Sequence, residues 1–391
     1  MRILYYAPNP QLSLSAQTGY GTHMREMINS WRDLGHEVDT LIVGNNTDSP
    51  EQAKPTKTLN LKWALKKLTP NYIWETLKDK KLINTDAELF KALDERVQSF
   101  KPDIIYERIS YLQDSGVQVA RKNGIRHVSE VNAPFPEERI YFSGKSAYLK
   151  RAKSIEKLIL EESDCLTVVS SALKEYLIQK SPSSAHKMHV VPNAVNENLK
   201  KLDVNRVAAL KSKFNPKNKL VVGFVGSIFP YHGVDLLIKA FKSSLKDAVL
   251  LIVGDGESIP ELKKYVEANS MDENVFFTGS VPHRDVFHYI EIMDICCMMN
   301  SNWYGSPVKI FEYGLMNKAV IAPDVRPVQD VMVHGKDGFL VSNSLNDICE
   351  SLKTVSSDNQ LRQQIAESWN KKVLENYTWK ITAQKTLSLC T

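Results

Sequence analysis

The chain has 391 residues, 43% hydrophobic and 24% charged, the make-up of an ordinary folded protein with room for two or three domains, which excludes disordered, collagen-like and coiled-coil classes. Fifty Lys+Arg against 45 Asp+Glu leave a charge of +5, which permits an anionic ligand or membrane surface without demanding nucleic acid, and no nucleic-acid partner is predicted. The five cysteines (Cys165, Cys296, Cys297, Cys349, Cys390) make no CxxC pair and have no histidine at metal-ligand spacing, so no metal site is predicted and a reducing, cytoplasmic setting is.

The first predicted elements are a strand at Arg2–Ala7, a helix at Thr22–Leu34 stopped by Gly35-His36, and a strand at Val38–Val43. Too few apolar residues precede Pro8 for a secretion signal, and no run reaches the ~18 apolar residues of a spanning helix. A soluble protein, or one peripheral to the inner face of the membrane, is expected. Gly19-Tyr20-Gly21 precedes the first helix, where glycines let backbone N–H groups approach an anion or a sugar. A turn loop without a ligand fits as well. A dinucleotide fingerprint is excluded, because its third glycine position holds Met24 and the glycines lie well beyond the strand.

The stretch 54–81 carries Lys54, Lys57, Lys62, Lys66, Lys67, Lys78, Lys80 and Lys81 interleaved with Trp63, Tyr72 and Trp74. Such a segment can lie on an anionic bilayer or form a solvated insertion. Strands follow at Ile104–Tyr106, His127–Glu130, Cys165–Val169 and His189–Val191, with helices at 112–122 and 145–162. The polar stretch Asn196–Lys219 marks a domain boundary, after which a second series of alternating strands and helices runs from Leu220 to Ala322. An α/β protein with two parallel-sheet halves is predicted.

Gly223–Ser227 ends a strand and Tyr231-His232-Gly233 opens the next helix, so this loop lies at a carboxyl sheet edge, where α/β proteins bind ligands. His232 there is a phosphate contact or a plain surface residue. In Gly305-Ser306-Pro307-Val308-Lys309-Ile310-Phe311-Glu312-Tyr313, Pro307 suits the first helical position and Lys309 and Glu312 share a helix face. An ammonium at a helix N-terminus suits a diphosphate, and a carboxylate one turn later can accept from ribose hydroxyls. The competing reading is an exposed ion pair.

Taken in order with Gly35-His36-Glu37-Val38, Ser170-Ser171, Val191-Pro192-Asn193, Val253-Gly254-Asp255-Gly256 and Phe277-Thr278-Gly279-Ser280-Val281, these segments resemble the family 4 retaining glycosyltransferases of the GT-B fold across nearly the whole chain. The resemblance implies two Rossmann-like parallel-sheet domains facing a cleft. The acceptor-side domain would be 1–200, rejoined by a closing helix at about 376–391, and the nucleotide-sugar domain 201–375. It implies Glu312 as ribose ligand, Lys309 at the diphosphate, Ser280-Val281 reading the base, Gly19 and Gly21 over phosphate and acceptor, and Gly254, Tyr304, Gly305, Ser306 and Pro307 lining the donor site.

Four positions depart from the family pattern. Tyr304 stands where a second glutamate is common, Ser227 and His232 where an arginine and a lysine often clamp the diphosphate, and Asn132 where a donor-contacting histidine is usual. Lys309, Glu312 and Asn132 are the catalytic candidates. The implied activity is retaining transfer from a nucleoside diphosphate sugar, without metal or other cofactor, to a glycan, lipid-linked or small-molecule acceptor in cell-surface polysaccharide or glycoconjugate assembly. The alternative is a non-catalytic GT-B protein binding a nucleotide or a partner glycosyltransferase. An epimerase or phosphorylase of the same fold fits the helix motif less well.

Overall fold

The computed structural model describes residues 1–16, 19–44, 69–215 and 217–391. It divides into two compact units, Met1–Pro192 with Ala383–Thr391, and Asn193–Thr382.

The first unit holds a six-stranded, all-parallel sheet: β1 (Arg2–Ala7), β2 (Glu37–Ile42), β3 (Ile104–Arg108), β4 (Arg126–Val131), β5 (Cys165–Val168) and β6 (Met188–Val190), in the order β2-β1-β3-β4-β5-β6. The second holds β7 (Leu220–Val225), β8 (Ala248–Val253), β9 (Val275–Phe277), β10 (Ile295–Cys297), β11 (Ala319–Pro323) and β12 (Phe339–Val341), ordered β12-β11-β10-β7-β8-β9 and again parallel. Strands buried on both faces are continuous apolar runs; Ala-Val-Leu-Leu-Ile-Val in β8 is buried at every position. In each sheet the order reverses beside the first strand, β1 or β7, and ligands of open α/β sheets bind outside the carboxyl ends of strands at such a point. Gly19–Gly21 and Gly226-Ser227 follow those two strands.

The division falls earlier than the expected residue 200, for a local reason. Val195 bridges Thr378, its N–H donating to the Tyr377 carbonyl (3.0 Å) while the Trp379 N–H donates back to the Val195 carbonyl (3.2 Å), which keeps 193–200 and 376–382 in the second unit. The closing helix Trp379–Cys390 then ends in the first unit, where Trp31 Nε1–H donates to the Ala383 carbonyl at 3.1 Å and Cys390 forms a disulfide with Cys165 of β5. The sequence reading did not anticipate that pairing, since its partners are 225 residues apart and no local spacing announces it. Cys296 and Cys297 lie buried in β10.

Two helices also differ from expectation. The predicted 112–122 helix runs Ser115–Asn123. Two helices then flank the predicted start at 145: Phe135–Ser143, which was not expected, and Leu149–Glu162, which covers most of the predicted 145–162. Pro136 starts the first of these, and Gly144, at φ 86°, ends it. Of the lysine-rich stretch, Lys54, Lys57, Lys62, Trp63, Lys66 and Lys67 lie outside the described residues, while Tyr72, Trp74, Lys78, Lys80 and Lys81 stand on the helix Asn71–Phe100. Among the described residues no helix is long and apolar enough to cross a membrane.

Candidate functional site

In the second unit the site is built around the helix Val308–Leu315. Pro307 is its N-cap rather than its first helical residue, and no side chain caps its N-terminal amides. Such amides favour an anion. Three side chains fix the helix. Tyr313 Oη accepts from the Val225 N–H at the end of β7 (3.0 Å), Trp369 Nε1–H donates to the Ile310 carbonyl (2.7 Å), and Asn370 Nδ2 donates to the carbonyls of Gly314 and Leu315 (2.7 and 3.0 Å). Trp369 packs so closely that a Cβ on Gly314 would sit 2.5 Å from its Nε1, so only glycine admits the anchor.

Lys309 extends back along this edge. Its Nζ lies 4.8 Å from the centroid of Phe224, and a Cβ on Gly226, which has φ +133°, would fall 2.3 Å from its Cε. Gly226 therefore makes the channel that Lys309 occupies. Burial lowers the Lys309 pKa to about 8 against the opposing pull of Glu312. Burial, with Lys309 second, pushes His232 down to about 4. His232 is thus neutral near pH 7, and the cation at this edge is Lys309.

Backbone rungs tie the neighbouring loops together. Gly226 N–H donates to Val253 O (2.9 Å), Gly254 N–H to Gly279 O (3.1 Å), and Ile228 N–H to Asp255 O (3.0 Å). Ser227, Gly254, Ser280 and Val281 are thereby brought to the same sheet edge as Lys309. Tyr304 is buried, with its ring edge-on to Trp303 at 5.2 Å, and Gly305 N–H donates to Asn302 Oδ1. Ser306 Oγ accepts from Asn193 N–H at 3.0 Å, and Asn193 Nδ2 donates to the Ser306 carbonyl at 2.7 Å, so the Gly-Ser turn is clamped before the helix begins.

Glu312 is buried, and its Oε1 lies 2.7 Å from His283 Nε2. His283 opens the helix His283–Glu291 two residues after Val281, and its role was not read from the sequence. The pairing leaves Oε2 of Glu312 for another donor.

Gly19, Gly21 and Asn132 belong to the first unit. Gly19 opens the helix Gly19–Asp33 in open space, while a Cβ on Gly21 would meet the Ala16 carbonyl at 2.3 Å. Asn132 follows β4 and donates from Nδ2 to Glu130 Oε1 at 2.6 Å. Glu130 also pairs with Arg108, accepts from Tyr106 Oη (2.9 Å) and lies 3.1 Å from His23 Nε2. Burial alone would raise its pKa, but His23 and Arg108 outweigh it and hold the carboxyl well below the usual range. Asn132 thus stands on a buried, ionised hub that joins β3, β4 and the glycine-led helix.

Comparison with known proteins assigns both units. Residues 207–372 match the family described as "Glycosyl transferases group 1", and residues 18–199 match "Glycosyltransferase Family 4". The chain belongs to the family 4 type glycosyltransferases of the GT-B fold. Each unit thus carries a glycosyltransferase family match. An uncharacterized glycosyltransferase, MJ1069, of Methanocaldococcus jannaschii is 26% identical over 66% of this chain and 66% of its own length, just under two thirds. The alpha-maltose-1-phosphate synthase of Mycolicibacterium smegmatis is 20% identical over 95% of this chain and 94% of its own. Among solved structures, HepE of Anabaena in complex with UDP shares the fold of this transferase with a TM-score of 0.73, at 17% identity and 99% coverage of both chains.

Proposed function

We propose that this chain moves a sugar, with retention of anomeric configuration, from a nucleoside diphosphate sugar to a glycan or lipid-linked acceptor in cell-surface polysaccharide or glycoconjugate assembly. The observation that carries the reading is the placement of Lys309 and Glu312, one turn apart on a rigidly held helix, at the carboxyl edge where the second sheet reverses order. HepE, of the same fold, has also been crystallised with UDP-glucose, which supports a UDP-linked donor here.

In this reading Glu312 accepts from the ribose hydroxyls, with one carboxylate oxygen steadied by His283. The turn Gly279-Ser280-Val281 meets the base, and Lys309 and the uncapped helix amides meet the diphosphate. As the glycosidic bond lengthens, negative charge grows on the leaving phosphate, and fixed donors at that point lower the barrier. The leaving phosphate itself takes the acceptor proton on the same face, so no protein base and no metal is assigned. Asn132, held by Glu130, is proposed to contact a sugar substrate. The lipid-linked acceptor is proposed to be met at an anionic membrane surface.

Radiolabelled nucleotide sugars incubated with lipid and glycan acceptors, with and without EDTA, test the reading. Turnover unaffected by EDTA, with the product anomer matching the donor by NMR, is expected. Nucleotide binding without any turnover or donor hydrolysis would favour a non-catalytic binding protein.

His283 gives a finer test. His283→Gln keeps a donor and should bind UDP within about twofold of wild type, whereas His283→Ala removes one hydrogen bond to a carboxylate and should weaken UDP roughly 3- to 15-fold. Calorimetric titration reads both, and equal affinities for the alanine variant and wild type would leave His283 without a role in nucleotide binding.

A further inference from the structure

Of the thirteen large hydrophobic side chains exposed among the described residues, five fall in two short segments of the first unit: Tyr72, Ile73 and Leu77, and Tyr141 and Phe142. The two segments touch. Asn71 Nδ2 donates to the Ser143 carbonyl (2.8 Å), and the Ala147 N–H donates to Thr76 Oγ1 (3.0 Å). Tyr141 is 81% and Phe142 65% exposed, their rings edge-on at 4.9 Å. Side chains this size leave water only where something else covers them, and a cluster of them marks an interaction surface.

The charge around the cluster is one-sided. Lys80, Lys81, Lys145 and Lys150 are exposed, whereas the carboxylates of the same helix turn, Glu75 and Asp79, are buried and held by Arg139 at 2.6 and 3.0 Å. Glu137 is engaged with Lys180 at 3.4 Å. An apolar patch rimmed by lysines matches the layering of an anionic bilayer, with acyl chains beneath phosphates. A second copy of the chain would set lysine rim against lysine rim.

We propose that this face is the docking surface by which the transferase sits on an anionic lipid bilayer. The proposal rests on the lipid-linked acceptor reading and gives it a place. The helix Phe135–Ser143 begins three residues after Asn132, so Tyr141 and Phe142 lie roughly 10 Å along that helix from the sheet edge, at about 1.5 Å per residue. A lipid headgroup and the acceptor end of the first sheet are then neighbours.

Co-sedimentation with vesicles of phosphatidylglycerol and phosphatidylcholine in equal parts, against phosphatidylcholine alone, tests it. Wild type should sediment with the anionic vesicles at low salt. The double variant Tyr141→Ser and Phe142→Ser, at exposed positions that leave the fold intact, should lose about tenfold or more in partitioning. Lys145→Gln and Lys150→Gln should each lose about fivefold at low salt and little at high salt. Unchanged circular dichroism and thermal melting in every variant report an intact fold. Wild type remaining in the supernatant, or the serine variant sedimenting like wild type, overturns the proposal. So does a concentration-dependent dimer abolished by the serines, which would assign the face to a second copy. Vesicle binding without sugar transfer would instead count against the proposed activity and leave the docking face standing.

Discussion

Replacing Glu312 by alanine is expected to abolish measurable transfer and to weaken UDP roughly 10- to 150-fold, the worth of hydrogen bonds to a charged acceptor at about 1.5–3 kcal/mol. Three features make the effect large. The carboxylate is buried, so little water substitutes for it; its helix is anchored by Tyr313, Trp369 and Asn370, so no neighbour can swing in; and His283 loses its partner as well. Glu312→Gln should retain part of the affinity, since an amide oxygen still accepts. Calorimetry with UDP and turnover of labelled donor check both variants, and wild-type turnover in the alanine variant would remove the central assignment.

Lys309→Met should act differently, lowering kcat by about 100-fold or more while costing UDP affinity less, because diphosphate charge peaks as the glycosidic bond breaks. The pH dependence follows from burial. With its pKa lowered to about 8 by burial, Lys309 is protonated below that value and neutral above it. The protonated form is the one that grips a diphosphate, so wild-type UDP affinity should fall as pH rises through 8. His232, pushed to about 4, adds no cation across this window. In Lys309→Met the fall should disappear. A variant that loses only KM, or keeps the alkaline fall, would place the cationic role elsewhere.

Much of this was legible in the sequence because it is local. Apolar runs alternating with amphipathic stretches yield both parallel sheets, and the Gly-Ser-Pro turn with Lys309 and Glu312 three apart marks the helix that carries the site. What was not legible depends on distant contacts. The His283 to Glu312 contact joins positions 29 apart, Cys165 meets Cys390 across 225 residues, and Glu130 gathers His23, Arg108 and Asn132 from three elements. Glu130 stood two residues before a candidate, yet only burial distinguishes a hub carboxylate from a surface one. His232 stands at the sheet edge beside Lys309, but its neutrality follows from burial and from that lysine, neither of which spacing reveals.

A crystal structure of the protein with UDP tests the central claim most directly. The ribose hydroxyls are expected within about 3 Å of the Glu312 carboxylate, with the terminal phosphate at a similar distance from Lys309 Nζ and the base against Ser280-Val281. A ribose held by other residues, with Lys309 making no phosphate contact, would contradict it.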